Sequence, residues 1–301
     1  LTALLRVVRA GPLCTVQEQG RFGRLAHGIS ASGPMDNDAF DLAGALAGAD
    51  DGAGIEFTRA GLTLRMEAGE LSLGWAGGDF AVHLNGLALK WPGCAAMRAG
   101  DEIDISPGAW GNYGYLRFGS QLNLPLVLGS RATSTRARIG GLDGRALQAG
   151  DQLSFSGPAS RKLPKPMPEE PTIGPVRFVW GIHADVFSPE VRQRFVDGQF
   201  QVSSMMDRMG VRLIDEGGVF ADSGVLSLVS DPILPGDIQI LGDGTPIVLM
   251  RDHQPTGGYP RIGTVISADF DRFAQIRPGE AVAFAPVSVE HAHRLLRSRS
   301  S

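Results

Sequence analysis

Cysteine is almost missing from this chain of 301 residues: Cys14 and Cys94 are the only two. Neither belongs to a CxxC pair or stands beside clustered histidines, so a disulfide scaffold and a thiolate metal site are both disfavoured. Reduced structural thiols, and no metal, are expected instead. Long apolar runs are lacking too, and nothing approaches the roughly twenty residues of a membrane span. The opening LTALLRVVRAG has too short an apolar stretch for a secretion signal and no small-residue cleavage pattern after it. Charge of one sign is also scarce. The formal net charge is -4, which gives no electrostatic footprint for nucleic acid or an anionic membrane. A soluble, cytoplasmic protein is the expectation. Three chemical signatures are absent as well: no GxSxG elbow, no HExxH helix and no GxxxxGK[ST] phosphate loop.

What the chain holds in quantity is glycine (41) and proline (19), spread among short strand-like segments, with an apolar fraction of 43% that can supply a sizeable core. These segments are LTLRM (62–66), LSLGWA (71–76), EIDIS (102–106), YGYLRF (113–118), QLSFS (152–156), VRFVW (176–180), DIQI (237–240), PIVLM (246–250) and AVAFA (281–285). Several alternate apolar and polar residues, as half-buried antiparallel strands do. Helical periodicity and caps predict only two helices, at 36–47 and 189–196. The basic ending HAHRLLRSRSS reads as a solvated tail.

A weak repeat sharpens the β reading. AGDEIDIS, AGDQLSFS and PGEAVAFAP each put a small residue or proline, glycine and an acid before an alternating strand, as a glycine turn feeding a sheet would. GDGTP (242–246) reads as a type I′-like turn. The segment 157–175, GPASRKLPKPMPEEPTIGP, is rich in proline and charge and reads as a linker. The chain is therefore predicted to be mainly β, with a first domain over 1–157, a linker at 158–175 and a second domain over 176–301. The predicted architecture is two barrel-like domains packed around a ligand cleft.

Four segments carry more polar residues and glycine than turns require. The first, 15–36, holds Gln17, Glu18, Arg21, His27, Ser32 and Asp36; the second, 128–145, is rich in Arg, Ser and Thr. The third is SSMMDRMGVRL (203–213), and the fourth is DHQPTGGYPRIGTVISA (252–268), which follows an apolar strand directly. Arg21, Arg131 and Arg208 are candidates for holding a carboxylate or carbonyl oxygen, because a guanidinium grips such groups in a planar fork. Glu18 and Asp252 are candidate bases or acceptors for an amide N–H. Against this, Arg208 between Asp207 and Asp215 can equally be a structural ion pair, 256–258 only a wide hairpin loop, and His27 and His253 ordinary hydrogen-bonding residues.

Taken together and in order, the motifs TVQ-x-x-GR-x-G, SG-x-MD, GSR-x-T with GG and GR-x-L-x-x-GD, RMG-x-RL, and GTPIVLM-x-D-x-Q-x-TGGYP-x-I-x-TVISAD-x-x-x-x-AQ-x-x-PG resemble the biotin-dependent carboxyltransferase family. That family takes in the carboxyltransferase region of urea amidolyase, chains called allophanate hydrolase subunit 2, and the C-type subunit of the bacterial 5-oxoprolinase. The resemblance runs from about residue 7 to 284. It implies two cyclophilin-like β-barrels in pseudo-symmetric arrangement. It also implies a partner of the 5-oxoprolinase B-type or allophanate hydrolase subunit 1 type, with the A-type lactam-utilisation protein as a further partner. The implied function is as a subunit of ATP-dependent 5-oxoprolinase, in which partner subunits use ATP and the 5-oxoproline lactam opens to glutamate.

The implied site has Asp252, Arg208 and Glu18 as catalytic residues. Gln17, Arg21, Ser32, Asp36, Arg131, Asp207, Gln254, Thr256 and Tyr259 bind substrate. No cofactor is held covalently, since the MKM-like turn that carries biotin is absent. In the alternative reading, a carboxyltransferase acting on an amide or urea-like nitrogen, biotin arrives on a separate carrier. A third reading is a non-catalytic regulatory subunit paired with a kinase-inhibitor-like partner. Glu18 and Gln19 stand where the family has Asp-Leu, Asp207 where it has Asn, Val211 where it has Tyr, His253 where it has Arg, and Pro255 where it has Thr. The acid at position 207 exchanges the donor–acceptor amide of the family's asparagine for a charged acceptor, and the expected result is either a change in the substrate held or neutralisation of Arg208 with a weaker oxyanion grip.

Overall fold

The structure, a computed structural model, describes residues 3–49, 52–158, 174–221 and 227–300. The described residues divide into two compact units, one of residues 3–23 and 31–158, the other of 24–30 and 174–300. Most of the predicted linker, 159–173, lies outside the described residues. Sequence reading did not foresee that the short stretch 24–30 groups with the second unit.

The first unit holds β1 (Ala3–Ala10), β2 (Thr15–Gln17), α1 (Asn37–Ala47), β3 (Gly54–Thr58), β4 (Leu62–Gly77), β5 (Phe80–Leu84), β6 (Leu87–Leu89), β7 (Gly93–Arg98), β8 (Glu102–Pro107), β9 (Tyr113–Phe118), β10 (Ser120–Leu122) and β11 (Gln152–Pro158). These form one branched sheet of eleven strands. LTLRM and LSLGWA, expected as two strands, are the two halves of the single 16-residue strand β4. Its first half pairs with β1 and β8, and its second half with β7 and β9. Leu5, Leu64 and Ile105 from one side and Ile55, Trp75 and Phe118 from the other meet in a continuous apolar core.

Helix α1 covers β4 and β9. Its N-cap is Asp36, whose Oδ1 accepts the Ala39 N–H at 2.9 Å, and Gly48 ends it at φ +78°. The helix can lie against β4 because position 74 has no side chain. A Cβ there would sit 2.2 Å from the Ala43 carbonyl oxygen.

The second unit holds β12 (Val176–Trp180), α2 (Pro189–Asp197), β13 (Gln199–Met206), β14 (Gly210–Ile214), β15 (Asp231–Pro232), β16 (Asp237–Ile240), β17 (Pro246–Leu249), β18 (Thr256–Gly257), β19 (Arg261–Val265), α3 (Ser267–Ala274), β20 (Ala281–Pro286) and α4 (Val289–Ser300). Seven of the strands close into a barrel in the order β12-β19-β16-β17-β14-β13-β20, and β15 pairs with β18 as a separate ribbon. One face of the barrel wall is apolar, with Val211, Leu213, Ile238, Ile240 and Val248 buried. Phe178, Phe200 and Phe284 meet Phe195 of α2 at ring-centroid distances of 5.1–5.5 Å. Among the described residues no helix is long and apolar enough to cross a membrane.

The mainly β architecture matches the expectation, and the two predicted helices are α1 and α2. Two others correct the sequence reading. The segment 267–274, where no helix was expected, is helix α3, and residues 291–300 of the basic ending belong to helix α4. The three-glycine repeat has a physical cause. Gly100, Gly150 and Gly279 take φ of +96°, +96° and +88°, and the acid after each folds back on the N–H three residues earlier. Asp101 accepts from Arg98 at 2.7 Å, Asp151 from Gln148 at 2.8 Å and Glu280 from Arg277 at 2.8 Å. A fourth copy went unnoticed in the sequence: Gly236, at φ +91°, precedes Asp237, which accepts the Leu234 N–H at 2.9 Å.

GDGTP is not a type I′ turn. Among its central positions only Gly244 has positive φ, and the Leu241 N–H to Thr245 carbonyl bond of 2.9 Å closes a three-residue loop ending in a left-handed glycine.

Candidate functional site

In the first unit the first two polar segments are laced together. Strand β2 ends at Gln17, whose Nε2 donates to Thr15 Oγ1 and the Thr133 carbonyl, both at 3.0 Å, while its Oε1 accepts the Gly33 N–H at 3.2 Å. Thr133 returns both its N–H and its hydroxyl to the Val16 carbonyl, at 2.9 and 2.8 Å. Glu18 accepts the Arg131 backbone N–H and forms an ion pair with the Arg131 guanidinium at 3.5 Å. Arg131 Nε also donates to the Leu124 carbonyl at 2.8 Å.

Arg21 is buried and points its guanidinium at the backbone carbonyls of Val127, Ser130 and Ala132. Both arginines expected to meet a ligand here make contacts within the first unit, Arg21 with loop carbonyls and Arg131 with Glu18.

The SGPMD segment is held one amide at a time. Gly33 N–H goes to Gln17, Met35 N–H to Glu56 Oε2 at 2.8 Å, and Asp36 N–H to the Tyr115 hydroxyl at 2.8 Å. Tyr115 donates in turn to Glu56 Oε2 at 3.0 Å. Burial first, then the charges of Glu56 and Asp36, push the Tyr115 hydroxyl well above its usual range, so it remains a donor. Ser32 is buried at φ +58°, and its hydroxyl has no hydrogen-bond partner among the described residues. Glu56 and Tyr115 were not singled out in the sequence. Their signal is a glutamate set between Ile55 and Phe57 and a tyrosine set before Leu116.

In the second unit the third and fourth segments come together. The Met250 and Asp252 N–H groups donate to the Met209 and Arg208 carbonyls at 2.9 and 2.7 Å. Arg208 Nε meets Asp252 Oδ2 at 2.9 Å, with both side chains buried. This corrects two expectations. Arg208 is paired with neither Asp207 nor Asp215, and Asp207 does not neutralise it. Asp207 Oδ1 instead accepts the N–H groups of Met209 and Gly210 at 2.7 and 3.1 Å, a local turn cap, while Asp215 Oδ2 accepts from Phe220 at 3.0 Å.

His253 is buried, with Nδ1 2.6 Å from the Gln254 carbonyl. Burial pulls its pKa below 6.5, against the charges of Asp237 and Asp252. Nδ1 therefore carries the proton and donates to that carbonyl.

Beside this pair lies a cavity of about 410 Å³ lined by Met205, Asp207, Arg212, Gln239, Gln254 and Tyr259, among others, a volume within the usual range for small-molecule sites. Three predicted site residues, Asp207, Gln254 and Tyr259, line it. Asp252 and Arg208 brace the start of the loop that carries Gln254 and Tyr259. Thr256 does not line it; it sits exposed in the β15–β18 ribbon, paired with Pro232. Arg212 and Gln239 were missed in the sequence, although each interrupts an apolar strand, Arg212 between Val211 and Leu213 and Gln239 between Ile238 and Ile240.

The carboxyltransferase domain family, subdomains A and B, matches residues 27–286 of the chain. The chain is 34% identical over 293 residues to the C-type subunit of 5-oxoprolinase from Escherichia coli K12, across 96% of this chain and 93% of that protein. It is 30% identical to urea amidolyase of Lachancea kluyveri across 98% of this chain, but that match spans only 17% of the fungal protein. The structure of K. lactis urea amidolyase superposes with a TM-score of 0.89 at 26% identity, covering 99% of this chain and 19% of that one. A two-unit β protein that reproduces this region so fully belongs to the carboxyltransferase family of subdomains A and B.

Proposed function

We propose that the chain is the C-type subunit of an ATP-dependent 5-oxoprolinase and works in a complex that opens the 5-oxoproline lactam to glutamate. The observation that carries this reading is similarity: the chain is 34% identical to the Escherichia coli 5-oxoprolinase C-type protein along 93% of that protein, and 30% identical to the Lachancea kluyveri urea amidolyase. Partners of the B and A types would bring the ATP chemistry.

In this reading the second-unit cavity holds the small substrate. Gln254 and Tyr259 supply polar contacts from its wall, and the Arg208–Asp252 pair fixes the loop from which they project. Co-expression with the neighbouring partner chains, followed by assay of ATP-dependent 5-oxoproline hydrolysis, tests it. Turnover that requires this chain supports it, and an intact complex without turnover overturns it.

The family match favours one second reading, a carboxyltransferase served by biotin on a separate carrier, the cofactor supplying the carboxyl group. The residues present are compatible with such a group, because a cyclic urea takes donors and acceptors of the kind that Gln239, Gln254 and Tyr259 offer. Dependence of activity on a biotinylated carrier, abolished by avidin, separates this reading from the first.

A further inference from the structure

We propose that the second-unit cavity binds a small carboxylate that also carries an amide or lactam carbonyl, with Arg212 taking the carboxylate and Gln239 the carbonyl oxygen. The proposal deepens the oxoprolinase reading by naming the groups that recognise the ligand, and it can be tested apart from it.

The placement follows from strand register. Arg212 of β14 stands opposite Ile247 of β17, and Ile247 stands opposite Gln239 of β16. Residues directly opposite share a face, so Arg212, Ile247 and Gln239 form a row across three strands on the face opposite Val211, Val248 and Ile238. Two strand spacings separate the two polar backbones, about 10 Å, a gap that the side chains and one small molecule can span. Gly210, opposite Leu249 in the next row, keeps this face open. A Cβ there would lie 2.7 Å from Ile247 Cδ1.

Both donors are uncommitted. Gln239 is 1% exposed, yet its Nε2 has no hydrogen-bond partner among the described residues. A buried amide N–H without a partner is costly, and no internal bond has to break when this amide turns toward a ligand oxygen. Position 257 leaves it room, because a Cβ there would lie 2.6 Å from Nε2. Arg212 feels the charge of Asp243, but it makes no hydrogen bond or ion pair among the described residues. Arg208, Arg131 and Arg261, by contrast, are each matched to a carboxylate. The carboxylate that lines the cavity, Asp207, is occupied by two backbone amides. Met205, Met206, Met209, Leu241 and Leu249 complete the wall, and methionines adapt readily to an irregular ligand.

The test is calorimetric titration of the full chain with three probes: 5-oxoproline, 2-pyrrolidinone (no carboxylate) and proline (no carbonyl on the ring). The first should bind, and the other two about 10-fold or more weakly. Arg212→Ala should cost 5-oxoproline about 10- to 100-fold in affinity and leave 2-pyrrolidinone unchanged. Gln239→Leu should cost 5-oxoproline a smaller factor and leave proline unchanged.

Should either variant fold poorly, methyl NMR of the wild-type methionines locates the ligand directly. Shifts at Met205 and Met209 support the site, and shifts confined to Met35, Met66 and Met97 of the first unit overturn it. Absence of binding to the chain, or variants that bind all three probes like wild type, also overturns it. In the assembled complex, normal turnover with an unchanged KM in Arg212→Ala would remove the cavity proposal while leaving the oxoprolinase reading in place. A chain that binds 5-oxoproline inside a complex that never hydrolyses it would do the reverse.

Discussion

The Arg208 guanidinium lies along the Asp252 carboxylate in two contacts, Nε to Oδ2 at 2.9 Å and Nη2 to Oδ1 at 3.3 Å, and both side chains are 4% exposed. The same two residues also share a backbone bond, Asp252 N–H to Arg208 carbonyl at 2.7 Å. This is a brace between two loops in which each charge answers the other.

Removing the Asp252 charge takes from the buried Arg208 guanidinium a counterion that it meets at 2.9 Å. Asp252→Asn is expected to destabilise the second unit by about 3–5 kcal/mol. The double variant Arg208→Met, Asp252→Leu should recover most of that loss. Trp180 is the one tryptophan of the second unit, so urea denaturation followed by its fluorescence reads the effect. A double variant that loses the sum of the two single losses would show that the pair has no mutual coupling.

Tyr115→Phe takes one oxygen from two partners, the Glu56 carboxylate and the Asp36 N–H. The expected cost is about 1–3 kcal/mol, together with faster hydrogen exchange at the Asp36 and Ala39 amides, since the cap of α1 loses its anchor. Unchanged exchange at those amides would show that the cap stands without the phenol.

Gly74→Ala forces a methyl into the space held by the Ala43 carbonyl. Helix α1 must move off β4 or the strand must bend, at about 1–3 kcal/mol. A thermal midpoint equal to wild type would mean that the helix can slide without cost.

Acid should weaken the second unit through Asp269. Burial alone would raise its carboxyl, but hydrogen bonds from the Arg177 side chain and N–H, at 2.5–3.0 Å, and from Arg272 at 2.9 Å, hold it below 3.8. The unfolded carboxyl takes up its proton first as pH falls, so the stabilisation is complete above its unfolded value of about 3.9 and disappears as pH drops through the lower folded value. Asp269→Asn should be destabilised at pH 7, and its deficit relative to wild type should shrink below about pH 4.

His253 adds a second slope at higher pH. Its folded pKa lies below 6.5 because it is buried, so the unfolded chain binds the proton first and stability falls as pH drops below about 6.5. In His253→Gln that part of the pH dependence should vanish. A slope between about pH 7.5 and 5.5 that the substitution leaves unaltered would show that the imidazole binds its proton equally well folded and unfolded.

Much of the fold could be read from period-2 alternation and glycine turns, because both act locally. DIQI and AVAFA are strands for reasons contained in their own residues, and the acid that follows each turn glycine bonds only three residues back. Helix α4 was hidden because its Arg and Ser composition resembles that of a solvated tail. The candidate site was legible as segments but not as pairings. That Arg208 would choose Asp252 over its neighbour Asp207, and that Arg131 would be claimed by Glu18, depends on which loops meet within each unit. Arg212 and Gln239 were invisible for a related reason. A polar residue on the second face of a strand normally meets solvent, and only strand register shows that these two face one cavity.

Strand β4 carries one last consequence. Its large buried apolar side chains are Leu62, Leu64 and Met66 in the first half, then Leu71, Leu73 and Trp75 in the second, so the phase of these large side chains changes from even to odd numbers between 66 and 71. Gly69, at φ +80°, sits where that change of parity is absorbed. A single residue deleted from 67–70 would therefore leave each half sound in itself but turn one of them inside out, sending three large side chains to the wrong side of the wall. The tolerance of this strand to length change should be zero at its exposed middle, where substitution is easiest.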